Sequence, residues 1–122
     1  MPKKNKNKDY DYDLEERLAK FAERVIDTVK KLPKNCINIR LITQIVGSSG
    51  SSGANYCEAC EAESKKDFKH KIRIVKKELR ESKHWIRLIA RANSRHKQEC
   101  REIWQETHEL LLIFAKILSS CK

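Results

Sequence analysis

Residues 64–93 read SKKDFKHKIRIVKKELRESKHWIRLIARAN, and a single helix through them carries three separate faces. At about 3.6 residues per turn, Phe68, Ile72, Val75, Leu79, Ser82, Ile86 and Ile89 recur every three or four positions and form a core face. Beside it Lys65, Lys69, Arg73, Lys76, Arg80, Lys83, Arg87 and Arg91 repeat with the same spacing, a stripe of cations with no acid among them. Ile74, Trp85, Leu88 and Ala92 fall on the remaining side, an apolar strip that a helix with one buried face does not need.

At the two ends of this segment, Ser64 followed by Asp67 has the form of a helix N-cap, and Asn93-Ser94 reads as a break in which Ser94 caps the last helix. In that helix Cys100, Ile103, Thr107, Leu110, Phe114 and Ile117 form the core face. Trp104, Leu111, Leu112, Ile113 and Leu118 spread apolar surface over most of its circumference. Together with Ile74, Trp85 and Leu88 this surface predicts self-association.

Upstream, residues 47–53 read GSSGSSG, which by composition is a flexible linker. Ile42, Ile45, Val46, Ser49, Gly53, Tyr56 and Cys60 nevertheless keep a helical phase through it, so a continuous helix over residues 38–63 is expected, with Gly and Ser letting a neighbour come close. The first helix starts at Asp13 as N-cap, with Glu16 behind it. It carries Leu14, Leu18, Phe21, Ala22, Val25, Ile26, Val29 and Leu32 on one stripe and ends at Pro33. Residues 1–12, MPKKNKNKDYDY, read as a flexible basic tail, leaving 13–122 as one domain.

The chain has 122 residues, 39% of them hydrophobic, with only three Gly and two Pro, and no strand-length alternation. Such a chain is all-α, and short turns between its helices give an up-and-down antiparallel four-helix bundle. The formal charge of +10 is concentrated: residues 64–101 hold 14 basic side chains against 4 acidic ones. A focused positive field attracts polyanions. Five cysteines without a secretory signal imply reduced thiols and a cytoplasmic protein. The longest apolar run, residues 110–115, is far short of the roughly 20 residues that span a bilayer.

The segments DLEERLAKFAERVIDTVKKLP, GANYCEACEAESKKDFKHKI and KKELRESKHWIRLIARAN resemble the bacterial 23S rRNA intervening-sequence proteins. The likeness runs from about residue 12 to the C-terminus and is carried by Gly53, Ala54, Asn55, Tyr56, Glu58 and Ala59 and by residues 63–68. It implies that the Gly/Ser run is helical, that the fold is a four-helix bundle, and that the chain assembles into a ring-shaped homopentamer. No catalytic activity comes with it. A similar basic pentameric bundle serves diversity-generating retroelements as an accessory protein, beside a reverse transcriptase. The chain departs from the family pattern at Cys57 and Cys60, where Arg and Asn are usual.

Cys57-Glu-Ala-Cys60 has the spacing of a metal knuckle, but no second pair completes four ligands, and Cys60 falls in the core phase, so both read as buried small hydrophobes. Glu81-Ser-Lys-His84 is a single Glu-x-x-His where a di-iron bundle needs two. His70, His84, His96 and His108 share no ligand spacing, and no catalytic motif occurs. The expectation is a protein without enzymatic activity, metal or cofactor, binding structured RNA or DNA through the stripe. The alternative is a pentameric scaffold that docks a protein partner, its basic face answering an acidic surface; in a purely structural oligomer the cations would instead pair with acids such as Glu15, Glu23 and Asp27 or with those of an adjacent subunit.

Overall fold

The computed structural model describes the backbone of residues 6–121 and the side chains of residues 13–121. Four long helices, α1 (Lys6–Val29), α2 (Cys36–Cys60), α3 (Lys65–Ala92) and α4 (Lys97–Ser120), account for most of these residues, with a 3-10 turn, Ser94–His96, ahead of α4. No strand occurs among the described residues. The tail expected over residues 1–12 falls outside the described side chains. Helix α1 begins at Lys6, so Asp13 lies within it rather than capping it.

Antiparallel order is written in the cross-helix pairs. Asn38 meets Asn93, Ser48 meets Ser82 and Glu58 meets Lys71, so α2 and α3 run in opposite directions. Lys31 pairs with Glu99, Arg24 with Glu102 and Arg17 with Glu106, which does the same for α1 and α4. Helices neighbouring in sequence are thus neighbours in space, and α4 closes back on α1.

The core follows the sequence closely on three helices. Ile72, Val75, Leu79, Ser82, Ile86 and Ile89 are buried on α3, and Cys100, Ile103, Thr107, Leu110 and Phe114 on α4. On α1, Leu14, Leu18, Phe21, Val25 and Val29 are buried, but Ile26 is 44% exposed. Tyr56 crosses the interior to meet Phe114 edge-on, with ring centroids 5.3 Å apart.

Helix α2 is continuous through the Gly/Ser run, but its buried face is turned by about one position from the expected one. Asn38, Ile45, Ser48, Ser49, Ser52, Tyr56 and Ala59 are buried, whereas Val46 and Cys60 are exposed. The cause is chemical: a serine can be buried at low cost when its hydroxyl is satisfied. Ser52 Oγ donates to the Ser49 carbonyl at 2.7 Å, and Ser48 Oγ lies 2.7 Å from Ser82 Oγ. Of the glycines only Gly53 faces a neighbour, with Leu18 Cβ 3.7 Å from where a methyl would sit. Gly47 and Gly50 point into open space.

Caps fix the ends. Asn35 accepts from the Asn38 amide at 2.9 Å to start α2, and Ser64 accepts from Asp67 at 3.0 Å to start α3, as its sequence implies. Ser94 does not cap α4: it opens the 3-10 turn, and α4 starts after His96 without a side-chain cap. Asn93 is occupied elsewhere. Its amide donates to Asn38 Oδ1 at 2.8 Å and to the Ile89 carbonyl at 2.9 Å, while Asn38 returns a bond to Asn93 Oδ1 at 2.9 Å and another to the Pro33 carbonyl at 2.8 Å.

Two stability outcomes are expected in denaturant titrations. Asn38→Ala leaves the buried Asn93 amide and the Pro33 carbonyl short of partners and costs about 1–3 kcal/mol. Gly47→Ala and Gly50→Ala each add about 0.5–1 kcal/mol, because both sit inside a helix with nothing for the methyl to strike. A loss of stability at either glycine shows instead that another surface packs there.

Candidate nucleic-acid interface

The Ser64 cap and the apolar period of α3 together set where its cations stand. With the core face turned inward, helix geometry sends the stripe to the flank beside α4, and Ile74, Trp85 and Leu88 to the flank beside α2. The stripe divides into two rows. Lys65, Arg73, Arg80, Arg87 and Arg91 are exposed, while Lys69, Lys76 and Lys83 are half-buried nearer the seam. Lys83 is held there: its Nζ lies 2.9 Å from His108 Nδ1 and 4.5 Å from the Trp104 ring centroid, and Trp104 stacks on His108 at 5.4 Å.

Among the described residues, Glu15, Glu23 and Asp27 of α1 form no ion pair with Arg73, Arg80, Arg87 or Arg91. Helix α1 packs on α2 and α4, and Glu15 accepts instead from the Cys57 thiol at 3.3 Å. Arg17 and Arg24 of α1 and Lys31 in the turn after it do find carboxylates. Arg17 makes a fork with Glu106 at 2.8 and 2.9 Å and reaches Glu109 at 3.2 Å, which holds its guanidinium pKa above the usual value. Arg24 pairs with Glu102, and Lys31 with Glu99, whose pKa is lowered by hydrogen bonds from His96 first and Lys31 second. Lys71 of α3 pairs with Glu58 of the edge formed by Glu58, Glu61 and Glu63. Among the described residues Arg73, Arg80, Arg87 and Arg91 have no ion pair. Glu81 does come close to the stripe, lining a surface cleft with Arg73, Lys76, Lys77 and Arg80.

The residues expected at a subunit interface do not form one patch. Ile74, Trp85 and Leu88 lie on the α2 flank of α3, Trp104 and Leu111 at the α3 seam, and Ile113 on the α1 flank of α4. Trp85, Trp104, Leu111 and Ile113 already pack half-buried against the core. Helix α4 is greasy on several sides because it touches both α1 and α3, a use for that surface within one bundle. Leu112, at 59% exposed, has no such use, and Ile37 and Ile39 at the start of α2 are similarly open. Trp85 also keeps a buried indole N–H without an acceptor.

Cys57 and Cys60 are exposed rather than buried, because the turn of α2 that carries them buries Tyr56 and Ala59 instead. Partial burial, then the bond to Glu15, raises the Cys57 pKa, which disfavours the nucleophilic thiolate. Cys100 is the buried thiol, its pKa pushed up to about 11 by burial. Among the described residues no three His, Cys, Asp or Glu side chains gather as a metal site, and no helix is long and apolar enough to cross a membrane. The partnership of Lys83 with His108 and Trp104 joins positions up to 25 residues apart, so no local spacing reveals it.

Known proteins give the same picture of the fold. A protein of unknown function from the S23 ribosomal protein family of Bacteroides thetaiotaomicron VPI-5482 superposes with a TM-score of 0.76 at 26% identity, over 85% of this chain and 96% of that one. No match was found among curated proteins. The sequence profile described as 23S rRNA-intervening sequence protein covers residues 11–116, nearly all of the bundle. With its four helices and that match, the chain belongs to the 23S rRNA-intervening sequence protein family.

Proposed function

We propose that this protein is a non-enzymatic, oligomeric bundle of the cytoplasm that binds structured RNA or DNA through the α3 stripe. The observation that carries the proposal is the contrast between seams. Where α1 meets α4, each of three cations has a carboxylate, whereas the exposed arginines of α3 have none. Arginines one to two helical turns apart present a line of charge suited to phosphates along a strand and displace counterions on binding. Along α3 no aromatic side chain interleaves with them, which favours readout of shape and charge over base sequence.

Assembly into a ring, a pentamer by family resemblance, repeats the stripe and turns weak single contacts into avidity. Exposed Leu112, Ile37 and Ile39 supply apolar surface for a second copy. The same features suit a scaffold that docks a protein partner such as a reverse transcriptase. That is the second reading.

Fluorescence-anisotropy titrations of structured ribosomal RNA fragments and of duplex DNA, across a range of salt, separate the two. Binding is expected to weaken steeply with salt, and Arg80→Glu with Arg87→Glu to flatten the log–log slope by roughly 0.7–0.9 for each phosphate that is no longer neutralised. The mass by light scattering should not change. Failure to bind at low salt overturns the nucleic-acid reading in favour of the scaffold. Dissociation of the oligomer on charge reversal makes the stripe an interface.

A further inference from the structure

Beside the outer arginines, the α3–α4 seam contains a concave site of different character. Lys76, Arg80 and Lys83 of α3 line one side of a cleft of about 260 Å³, and His108, Leu111, Leu112 and Ala115 of α4 line the other. No carboxylate lines it. Glu81 belongs to the adjoining cleft, and Glu106 and Glu109 of α4 are taken by Arg17 of α1. Three cations therefore converge on one hollow, and the acceptor that Lys83 has there is an imidazole nitrogen. An ammonium carries donors alone, so His108 Nδ1 must offer its lone pair, and neither that bond nor the Trp104 face neutralises the charge.

We propose that this cleft seats one phosphate group in its monoester form, the favoured source being the terminal phosphate of the strand bound along the stripe; this rests on the nucleic-acid function above. A monoester carries about −1.5 to −2 charges near pH 7 and three free oxygens, enough to engage an ammonium pair and the planar Arg80 fork together. An internal phosphodiester carries one charge, and its chain must leave in two directions, which suits the open arginine row better than a hollow. The apolar wall of Leu111, Leu112 and Ala115 fits the sugar and base of the last nucleotide. When the phosphate enters, Lys83 turns its donors from His108 to phosphate oxygens and leaves the Trp104 ring.

Trp85→Phe makes Trp104 the sole tryptophan, since the chain has two. Trp104 emission is then followed while the full-length oligomer is titrated, at constant ionic strength, with three probes. These are a 5′-phosphorylated RNA hairpin, the same hairpin with a 5′-hydroxyl, and inorganic phosphate. The phosphorylated hairpin is expected to bind about tenfold more tightly than its hydroxyl twin and to change Trp104 emission. His108→Gln and, two turns along the same helix, Ala115→Glu should each remove that preference while leaving the hydroxyl hairpin bound as before. Circular dichroism checks that both variants remain helical.

Equal binding of the two hairpins overturns the seat and leaves the stripe standing. If neither hairpin binds but inorganic phosphate changes Trp104 emission, and Ala115→Glu abolishes the change, the seat stands with free phosphate as its source and the nucleic-acid function falls. Silence of Trp104 to the phosphorylated hairpin and to inorganic phosphate alike overturns the proposal.

Discussion

Four of the seven residues that α2 buries are polar, and the bundle closes only if each of them finds a partner. The reciprocal amide pair of Asn38 and Asn93 ties the start of α2 to the end of α3. The hydroxyl pair of Ser48 and Ser82 fixes the middle. A shift of α3 by one turn would break both pairs at once and strand buried polar groups, so the polar atoms set the register more sharply than aliphatic packing does. The small side chains that make these bonds also leave little apolar surface on α2. The hydrophobic weight of the core therefore falls on α1, α3 and α4.

Register in turn decides where charge goes. Helix α4 has an acidic flank, Glu99, Glu102, Glu106 and Glu109, and an aromatic flank, Trp104 and His108. Once α3 is locked to α2, its cationic flank meets the aromatic side of α4, and the acidic side is left to Arg17 and Arg24 of α1 and to Lys31 just beyond it. Exposed ion pairs of this kind add little stability each. Their larger effect is on orientation: rotating α4 to offer its acids to α3 would abandon the four pairs with Arg17, Arg24 and Lys31. The positive field at the α3–α4 seam follows from how the bundle is assembled, as well as from composition.

The helices and most of the core are legible in the sequence because Ile, Leu and Val at three-and-four spacing leave one consistent solution. Ser82 and Thr107 fall on core faces by phase, and both are buried. The face of α2 is harder. Hydrophobicity anchors its phase on Val46 and Cys60 ahead of Ser48, Ser52 and Ala59, yet polarity is a poor guide where a serine can return its hydrogen bond to its own helix. The same bias wrongly buries Cys57 and Cys60. Asp13 looks like a cap because the apolar period starts there, but a helix can begin a turn or more ahead of its first core residue. At the candidate site, the cationic stripe is fully visible in the sequence. His108 is not, since its meaning depends on which flank of α4 faces α3.

What the stripe offers a ligand also differs from what its spacing suggests. Eight cations on one helix read as a uniform line, but the fold grades them by depth: Arg73, Arg80, Arg87 and Arg91 outward, Lys69, Lys76 and Lys83 toward the seam. Screening by water and salt weakens the outer row, and the field of the inner row is less screened because protein covers one side of each ammonium. Lys83 lies against Trp104 and His108 and, among the described residues, has no ion pair with a carboxylate. On the proposed nucleic-acid function, long-range attraction and lateral tracking along a phosphate backbone would fall to the arginines. Short-range discrimination would fall to the lysines, because only a group able to enter the seam meets their charge at close range.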